Sequence, residues 1–288
     1  MSVVEMALVE TPKFNIYVAS DDQLIGGLVS ENKAFEPHVT DLVERLLKPG
    51  DVFLDLGANI GIHTLAAAWR VGDSGRCIAI DMVPENCACL RASCDANGFH
   101  HVEVIEGAVN DVSGRLSFYL TPGTYNGALV TDAIRASMAE NPQFFGEKDH
   151  PVQAIAIDDV VGENDRVDLV KMDIEGAEAK AIKGMRRLLT RQRPPIIFEF
   201  FPNLLWSTGE IEPVVLLDML RSFGYQMYRI HPDSSISPCP LSNDEAMAAV
   251  TLPDGSLGWV DLLASPVERG DVPTLIARQP KRGSGVND

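Results

Sequence analysis

The stretch Val52 to Gly61 constrains the fold of this chain more than any other. Val52-Phe53-Leu54 is a short continuous apolar run, as a buried parallel strand should be. Asp55-Leu56-Gly57-Ala58-Asn59-Ile60-Gly61 follows directly, and the apolar residues around Leu65 to Trp69 then take helical spacing. Strand, glycine-rich turn and helix in that order are the context in which such a turn binds a nucleoside cofactor. Gly57 and Gly61 permit tight turning and close approach of backbone to ligand. The first turn of the helix offers unpaired N–H groups.

The same alternation continues along the chain. Strands are predicted at Phe14 to Val18, Arg76 to Ile80, Val102 to Ile105, Leu116 to Leu120, Val152 to Ile157, Val167 to Met172, Pro195 to Phe200, Tyr225 to Ile230 and Trp259 to Ala264. Helices are predicted over Glu36 to Leu47, Val83 to Asn97, Asp132 to Glu140, Ala177 to Leu189 and Pro213 to Phe223. Ser20 to Glu31 reads as a turn or a second short strand. Strands alternating with helices argue for an α/β fold, Rossmann-like, with a doubly wound and mostly parallel sheet. The absence of a helical pattern between Tyr225 to Ile230 and Trp259 to Ala264 predicts that these two pair antiparallel, making an antiparallel last strand. Leu116 to Leu120 reads as an added hairpin. The expected organisation is an extension over 1–47, the main domain over 48–267 and a disordered tail over 268–288. Within the domain, the Pro- and Gly-rich stretch 121–150 is long enough to be a functional loop on the acceptor side.

Charge and cysteine usage narrow the partners. Lys plus Arg number 24 against 41 Asp plus Glu, a net charge of −17. Such a field repels a polyanion, so nucleic acid is not expected as a partner. The cysteines are Cys77, Cys87, Cys89, Cys94 and Cys239, an odd count with no Cys-x-x-Cys pair. Neither a disulfide framework nor a structural zinc site is expected. No apolar run reaches the roughly 18 residues of a membrane span. Met1 to Glu10 lacks the basic start of a signal peptide, so a cytoplasmic location is the expectation. No sequence feature specifies an oligomer.

Asp55 places a carboxylate at the end of the first buried strand. A dinucleotide diphosphate is repelled there, whereas a cationic amino acid group is attracted. Asn59 stands where a diphosphate-binding turn prefers glycine. These details favour S-adenosylmethionine over NAD. Asp81 ends the next strand, 26 residues after Asp55 (81 − 55), where a carboxylate binds ribose hydroxyls. Glu106 and Ala108 flank the end of the third strand and are candidates to contact the base. In Asp168-Leu169-Val170-Lys171-Met172-Asp173-Ile174-Glu175-Gly176-Ala177-Glu178, alternation sets Lys171 and Asp173 on one face. A charged pair ending an apolar strand suits a site at the carboxyl edge of a sheet better than a core. Glu199 ends the neighbouring strand and faces the same cleft. His63, one turn into the first helix, is within reach of it. The remaining histidines have no partner visible in sequence and read as surface or packing residues.

These blocks resemble the FkbM-type methyltransferases. The similarity runs through Tyr17, Phe35-Glu36-Pro37, Lys48-Pro49-Gly50-Asp51, the Asp55 to Gly61 turn, Asp81, Val152 to Asp159, Val167 to Glu178 and Glu199, and it covers about residues 14 to 266. Its most specific piece is Asp168 to Glu178. The resemblance implies the class I methyltransferase fold, S-adenosylmethionine as cofactor, and methylation of a hydroxyl on a sugar, glycan or small natural product. It adds Glu36 and Met82 to the cofactor-binding candidates. Two departures are Asp81-Met82, where the family often has Glu-Pro, and His63, where it often has an aromatic residue.

The expected catalytic set is therefore Asp173, Glu199 and His63 as general bases in that order, with Lys171 beside them. The expected cofactor set is Glu36, Asp55, Gly57, Asn59, Gly61, Asp81, Met82, Glu106 and Ala108. No metal ligand set is evident. Two other readings use the same turn: an NAD-dependent oxidoreductase, and a catalytically silent cofactor-binding module.

Overall fold

The computed structural model describes residues 4–140, 150–239 and 242–268. The chain opens with β1 (Met6–Glu10) and β2 (Asn15–Ala19), an antiparallel pair, followed by α1 (Ile25–Asn32) and α2 (Pro37–Leu46). The central unit follows as β3 (Val52–Leu56), α3 (Ile62–Val71), β4 (Arg76–Asp81), α4 (Pro84–Asn97) and β5 (Val102–Glu106). Next come β6 (Ala108–Val109), β7 (Gly114–Leu120), β8 (Gly127–Leu129), α5 (Asp132–Glu140), β9 (His150–Ile155) and α6 (Ile157–Val160). Then β10 (Leu169–Met172), α7 (Glu178–Gly184), α8 (Arg186–Arg191), β11 (Ile196–Phe200), α9 (Pro202–Ser207) and α10 (Pro213–Ser222) return the chain to the sheet. It ends in β12 (Tyr225–Ile230), β13 (Ile236–Pro238), α11 (Asn243–Val250) and β14 (Val260–Pro266).

The main sheet has eight strands in the order β13-β12-β14-β11-β10-β3-β4-β5. The five strands from β11 to β5 are parallel, and β14, β12 and β13 add antiparallel on one edge. From β3 the chain first builds outward through β4 and β5, then crosses back to place β10 on the other side of β3. The strand order therefore reverses between β3 and β10, and the crevice that opens at the carboxyl ends of two such strands is where this architecture binds ligands. Period-two alternation supplies both faces. Leu54, Leu56, Ile78, Ile80, Val170, Met172 and Phe198 pack with α7 and α10, while Phe53, Cys77, Leu169, Ile197 and Leu263 pack with α2 and α3.

Several expectations are corrected. Ser20 to Glu31 holds the helix α1, whose start is capped by Asp22 accepting from Leu24 N and Gly26 N; the Gly26-Gly27 pair hides its helical period. The single helix expected over Ala177 to Leu189 is two, parted at Met185. The Asp158 carboxylate accepts from Arg187 N and Leu188 N, starting α8 afresh. The region between β12 and β14 does contain a helix, α11, yet the strands pair antiparallel because β13 turns the chain first. The added hairpin is part of a four-stranded sheet, β6-β9-β7-β8. The expectation of a disordered tail concerns residues that, Glu268 apart, lie outside those described. So does 141–149 of the expected loop. No helix among the described residues is long and apolar enough to cross a membrane.

Candidate active site

A cavity of about 520 Å³ opens at the β3/β10 reversal, along the carboxyl edge of the parallel strands. Its wall includes Gly57, Asn59, Gly61, Asp81, Met82, Ala108, Lys171, Asp173, Glu199, Glu36 and His63. Eleven of the thirteen residues expected from sequence are thus brought together. Asp55 and Glu106 are not in the wall. Glu106 is exposed on the far strand, β5, and its neighbours Gly107 to Val109 face the cavity in its place. Asp55 is fully buried beneath the turn, where it accepts from Thr64 Oγ1 at 2.6 Å. Its other oxygen has no hydrogen-bond partner among the described residues. The expected contact between Asp55 and a cationic ligand is replaced by proximity to Lys171, its register partner on β10.

The turn is fixed by backbone crowding. Gly57 has φ +78°, and a Cβ there would lie 1.8 Å from the carbonyl oxygen of Asp173. The two loops that end β3 and β10 therefore touch main chain to main chain, which no side-chain-bearing residue at 57 allows. Lys171 Nζ reaches across the same junction, donating to Gly57 O at 3.4 Å and to Asp173 Oδ2 at 3.3 Å. Burial alone lowers the pKa of Lys171, but the charges of Asp173, Asp55 and Glu36 outweigh it, so the ammonium stays charged.

Asp81 is the anchor on the β4 side. It accepts from Asn59 N at 2.8 Å, Val83 N at 2.9 Å and Asn86 Nδ2 at 3.3 Å. Burial still pushes its carboxyl up to about 6, against these donors. Asn86 also donates to Tyr125 O, and Asn126 donates to Glu175 Oε1 at 2.7 Å. Tyr125 and Asn126 of the 121–150 stretch thus lie against Asn86 and Glu175, while Thr131 donates to Ser207 O of α9.

On the β11 side, Glu199 stands opposite Asp261 of β14. Burial raises its pKa first, and the negative charges of Asp173, Glu175 and Asp261 raise it further, leaving it protonated at neutral pH. Burial and the Asp173 charge likewise raise Glu175. Glu36 behaves oppositely. Burial opposes its ionisation, but the hydrogen bond and charge of His63, with Lys171 and His38, hold the carboxyl below its ordinary value. His63 is 3% exposed and has both ring nitrogens engaged, Nε2 with Glu36 Oε2 and Nδ1 with Thr40 Oγ1, each at 3.2 Å. Glu178 lies outside the wall and accepts from Ile174 N and Gly176 N.

At the β14 end the wall also holds His38, Asp261 and Trp259, which are not among the sequence candidates. His38 Nε2 is 2.7 Å from Asp261 Oδ2. The two are 223 positions apart, so only the antiparallel return of β14 pairs them.

The donor set decides what the cavity fits. Six carboxyl groups (Glu36, Asp81, Asp173, Glu175, Glu199, Asp261) face one lysine in the described wall. This suits a cation and opposes a diphosphate. Met82, Val83, Ala108 and Leu129 supply an apolar surface beside Asp81, as a nucleoside requires. Among the described residues no group of three His, Cys, Asp or Glu is arranged to hold a metal ion.

A doubly wound sheet with a cavity of this chemistry at its reversal defines a Rossmann-like enzyme that binds a cationic nucleoside. Comparison with known proteins makes the class specific. The Methyltransferase FkbM domain matches residues 55–227. The chain is 25% identical over 191 residues to 2-O-methyltransferase NoeI of Sinorhizobium fredii, covering 63% of this chain and 76% of that one. It is 38% identical over 73 residues to Protein-L-isoaspartate O-methyltransferase 2 of Archaeoglobus fulgidus, a stretch that is 25% of this chain and only 33% of that enzyme. Among solved structures, the methyltransferase FkbM of Methylobacillus flagellatus is similar at 18% identity and a TM-score of 0.43, over 78% of this chain and 50% of that one. The chain belongs to the FkbM methyltransferase family. It is an S-adenosylmethionine-dependent methyltransferase, and the nicotinamide reading falls away.

Proposed function

We propose that this enzyme transfers the methyl group to a hydroxyl of a small molecule or glycan. The carrying observation is the order of groups along the sheet edge. Asp81 with its apolar surround lies at the β4 end, Gly57 with the Lys171–Asp173 pair lies at the centre, and Glu199 with Asp261 lies at the β14 end. In this reading the nucleoside occupies the Asp81 end, with Asn59, Met82 and Ala108 around it. When bound, S-adenosylmethionine supplies an electrophilic methyl on a cationic sulfur. Glu36 and Asp173 offer that positive end carboxylates in the middle of the cavity, and Lys171 holds Asp173 in place. The β14 end remains for the acceptor. The main contribution of the chain is to hold the reacting atoms in line, which supplies roughly 7–11 kcal/mol in well-oriented reactions.

Both relatives named above are O-methyltransferases, which supports oxygen as the methyl acceptor. The net charge of −17 supports a small or uncharged acceptor over nucleic acid. All five cysteines are free and four are buried, which suits a reducing compartment such as the cytoplasm. The test is transfer of radiolabelled methyl from S-adenosylmethionine to a panel of methyl glycosides, polyols and phenols, with bulk RNA and peptides alongside. The reading expects label in a hydroxyl of the panel. Label in RNA or peptide alone overturns it.

A further inference from the structure

We propose that His38, oriented by Asp261, accepts the proton of the acceptor hydroxyl. This rests on the acceptor end assigned above and names the base of that reaction.

Position carries the first part of the argument. His38 sits in the first turn of α2, over the end of the cavity that β11 and β14 form. Asp261 is the register partner of Glu199, one strand beyond it and two beyond Asp173. Its Oδ2 lies 2.7 Å from His38 Nε2, and the two side chains are 18% and 15% exposed. An ionised carboxylate only accepts, so His38 must donate from Nε2–H. A neutral ring then carries its lone pair on Nδ1. That nitrogen makes no hydrogen bond among the described residues. A histidine in a cleft wall with its tautomer fixed by a carboxylate is a recurrent proton-accepting arrangement.

Chemistry weighs against the other candidates in the wall. Both nitrogens of His63 are engaged. Glu199 already holds a proton at neutral pH. Asp173 holds Lys171 with one oxygen and, in the reading above, serves the positive end of the cofactor with its charge. Trp259, two residues before Asp261, is 59% exposed in the cavity wall with its ring 5.6 Å from that of Phe201. An apolar surface is therefore next to the dyad, where an acceptor can lie with a hydroxyl toward His38.

In the step itself, the hydroxyl oxygen forms the new C–O bond while the C–S bond breaks and its electron pair goes to sulfur. The hydroxyl proton passes to Nδ1, leaving an imidazolium beside the Asp261 carboxylate. The groups that set the proton affinity of His38 are Asp261 on β14 and Glu36 at the start of its own helix; Glu199 on β11, Lys171 on β10 and His63 on α3 line the same cavity. The Asp261 hydrogen bond raises its pKa, burial lowers it, and the Asp261 and Glu36 charges raise it again, for a net rise. Turnover should therefore climb as pH rises through the His38 pKa, and Asp261→Asn should move that limb to lower pH.

Two measurements test this. Long-range ¹H–¹⁵N spectra of the S-adenosylhomocysteine-loaded protein should show His38 neutral as the Nε2–H tautomer at high pH, with a lower pKa in Asp261→Asn. An Nδ1–H tautomer, or a cation across about pH 6 to about 9, overturns the proposal. With whichever methyl glycoside, polyol or phenol accepts label, His38→Gln should lower kcat by about 10²–10⁴-fold while S-adenosylhomocysteine affinity is retained. Retained turnover overturns it too. If no hydroxyl in the panel accepts label, the acceptor reading fails separately and the spectra alone decide the dyad.

Discussion

Replacing Lys171 with Met removes the only lysine of the described cavity wall and leaves its partners in place. The side chain is 7% exposed, and its Nζ lies 3.3 Å from Asp173 Oδ2. At an effective dielectric of about 20, two charges at that separation attract by about 5 kcal/mol before desolvation is counted. Asp173 is 28% exposed and can rehydrate, whereas Asp55 is 0% exposed and cannot. Breaking a buried pair typically costs about 3–5 kcal/mol, and the partial exposure of Asp173 puts Lys171→Met near about 3 kcal/mol. The pH dependence is specific. The lysine is charged throughout the acid and neutral range, so its own titration adds no slope there. Without it, Glu36 loses one of the charges that hold its carboxyl below its ordinary value, and the carboxylates beside the lysine lose their counter-charge. The loss is then largest near about pH 8, where carboxylates are ionised, and shrinks toward about pH 4 as they take up protons. Urea unfolding of both proteins at several pH values measures it. A variant within about 1 kcal/mol of the parent at pH 8, or a gap that widens on acidification, would refute the reasoning.

Gly57→Ala combines a left-handed backbone cost of about 1–2 kcal/mol with a Cβ driven against the Asp173 carbonyl. It should lower the melting temperature and weaken S-adenosylhomocysteine binding together; normal binding would show that the junction does not shape the site. Glu178 is 3% exposed with its carboxyl pushed up to about 7 by burial, so the native chain should lose about 3 kcal/mol as pH climbs from about 4.5 to 7. Glu178→Gln, which keeps the acceptor oxygen, should flatten that part of the stability profile, and an unchanged slope counts against it. Glu175 and Glu199 have raised pKa values, so a cation entering the cavity should expel protons. Calorimetry in buffers of different ionisation enthalpy should show proton release with S-adenosylmethionine that S-adenosylhomocysteine lacks, and a preference for the former that grows with pH. Equal proton uptake for both ligands would contradict the electrostatic account.

How far the site was legible in sequence depends on how local each contact is. The Gly57 to Gly61 turn, Asp81 and the Lys171–Asp173 pair are set by strand ends that alternation marks, and the structure brings them to one edge. Asp55 was misjudged because strand alternation fixes the face of a residue but not its depth. It points the same way as Lys171 and stops beneath the turn, against Thr64. His38 and Asp261 were invisible because their pairing depends on β14 entering antiparallel beside β11. Within the fold, the Ser242-x-x-Glu245 capping box was present and would have revealed α11; Ser242 Oγ does accept from Glu245 N. The break at Met185 could not be seen locally, since it is imposed by Asp158 from a distant turn.

The most direct test of the account is a crystal structure with S-adenosylhomocysteine bound. The account predicts the ribose beside Asp81, the sulfur near Gly57 and Asp173, and open space from the sulfur toward His38, Asp261 and Trp259. Adenosine lying at the Trp259 end, with the sulfur directed toward Asp81, would contradict it.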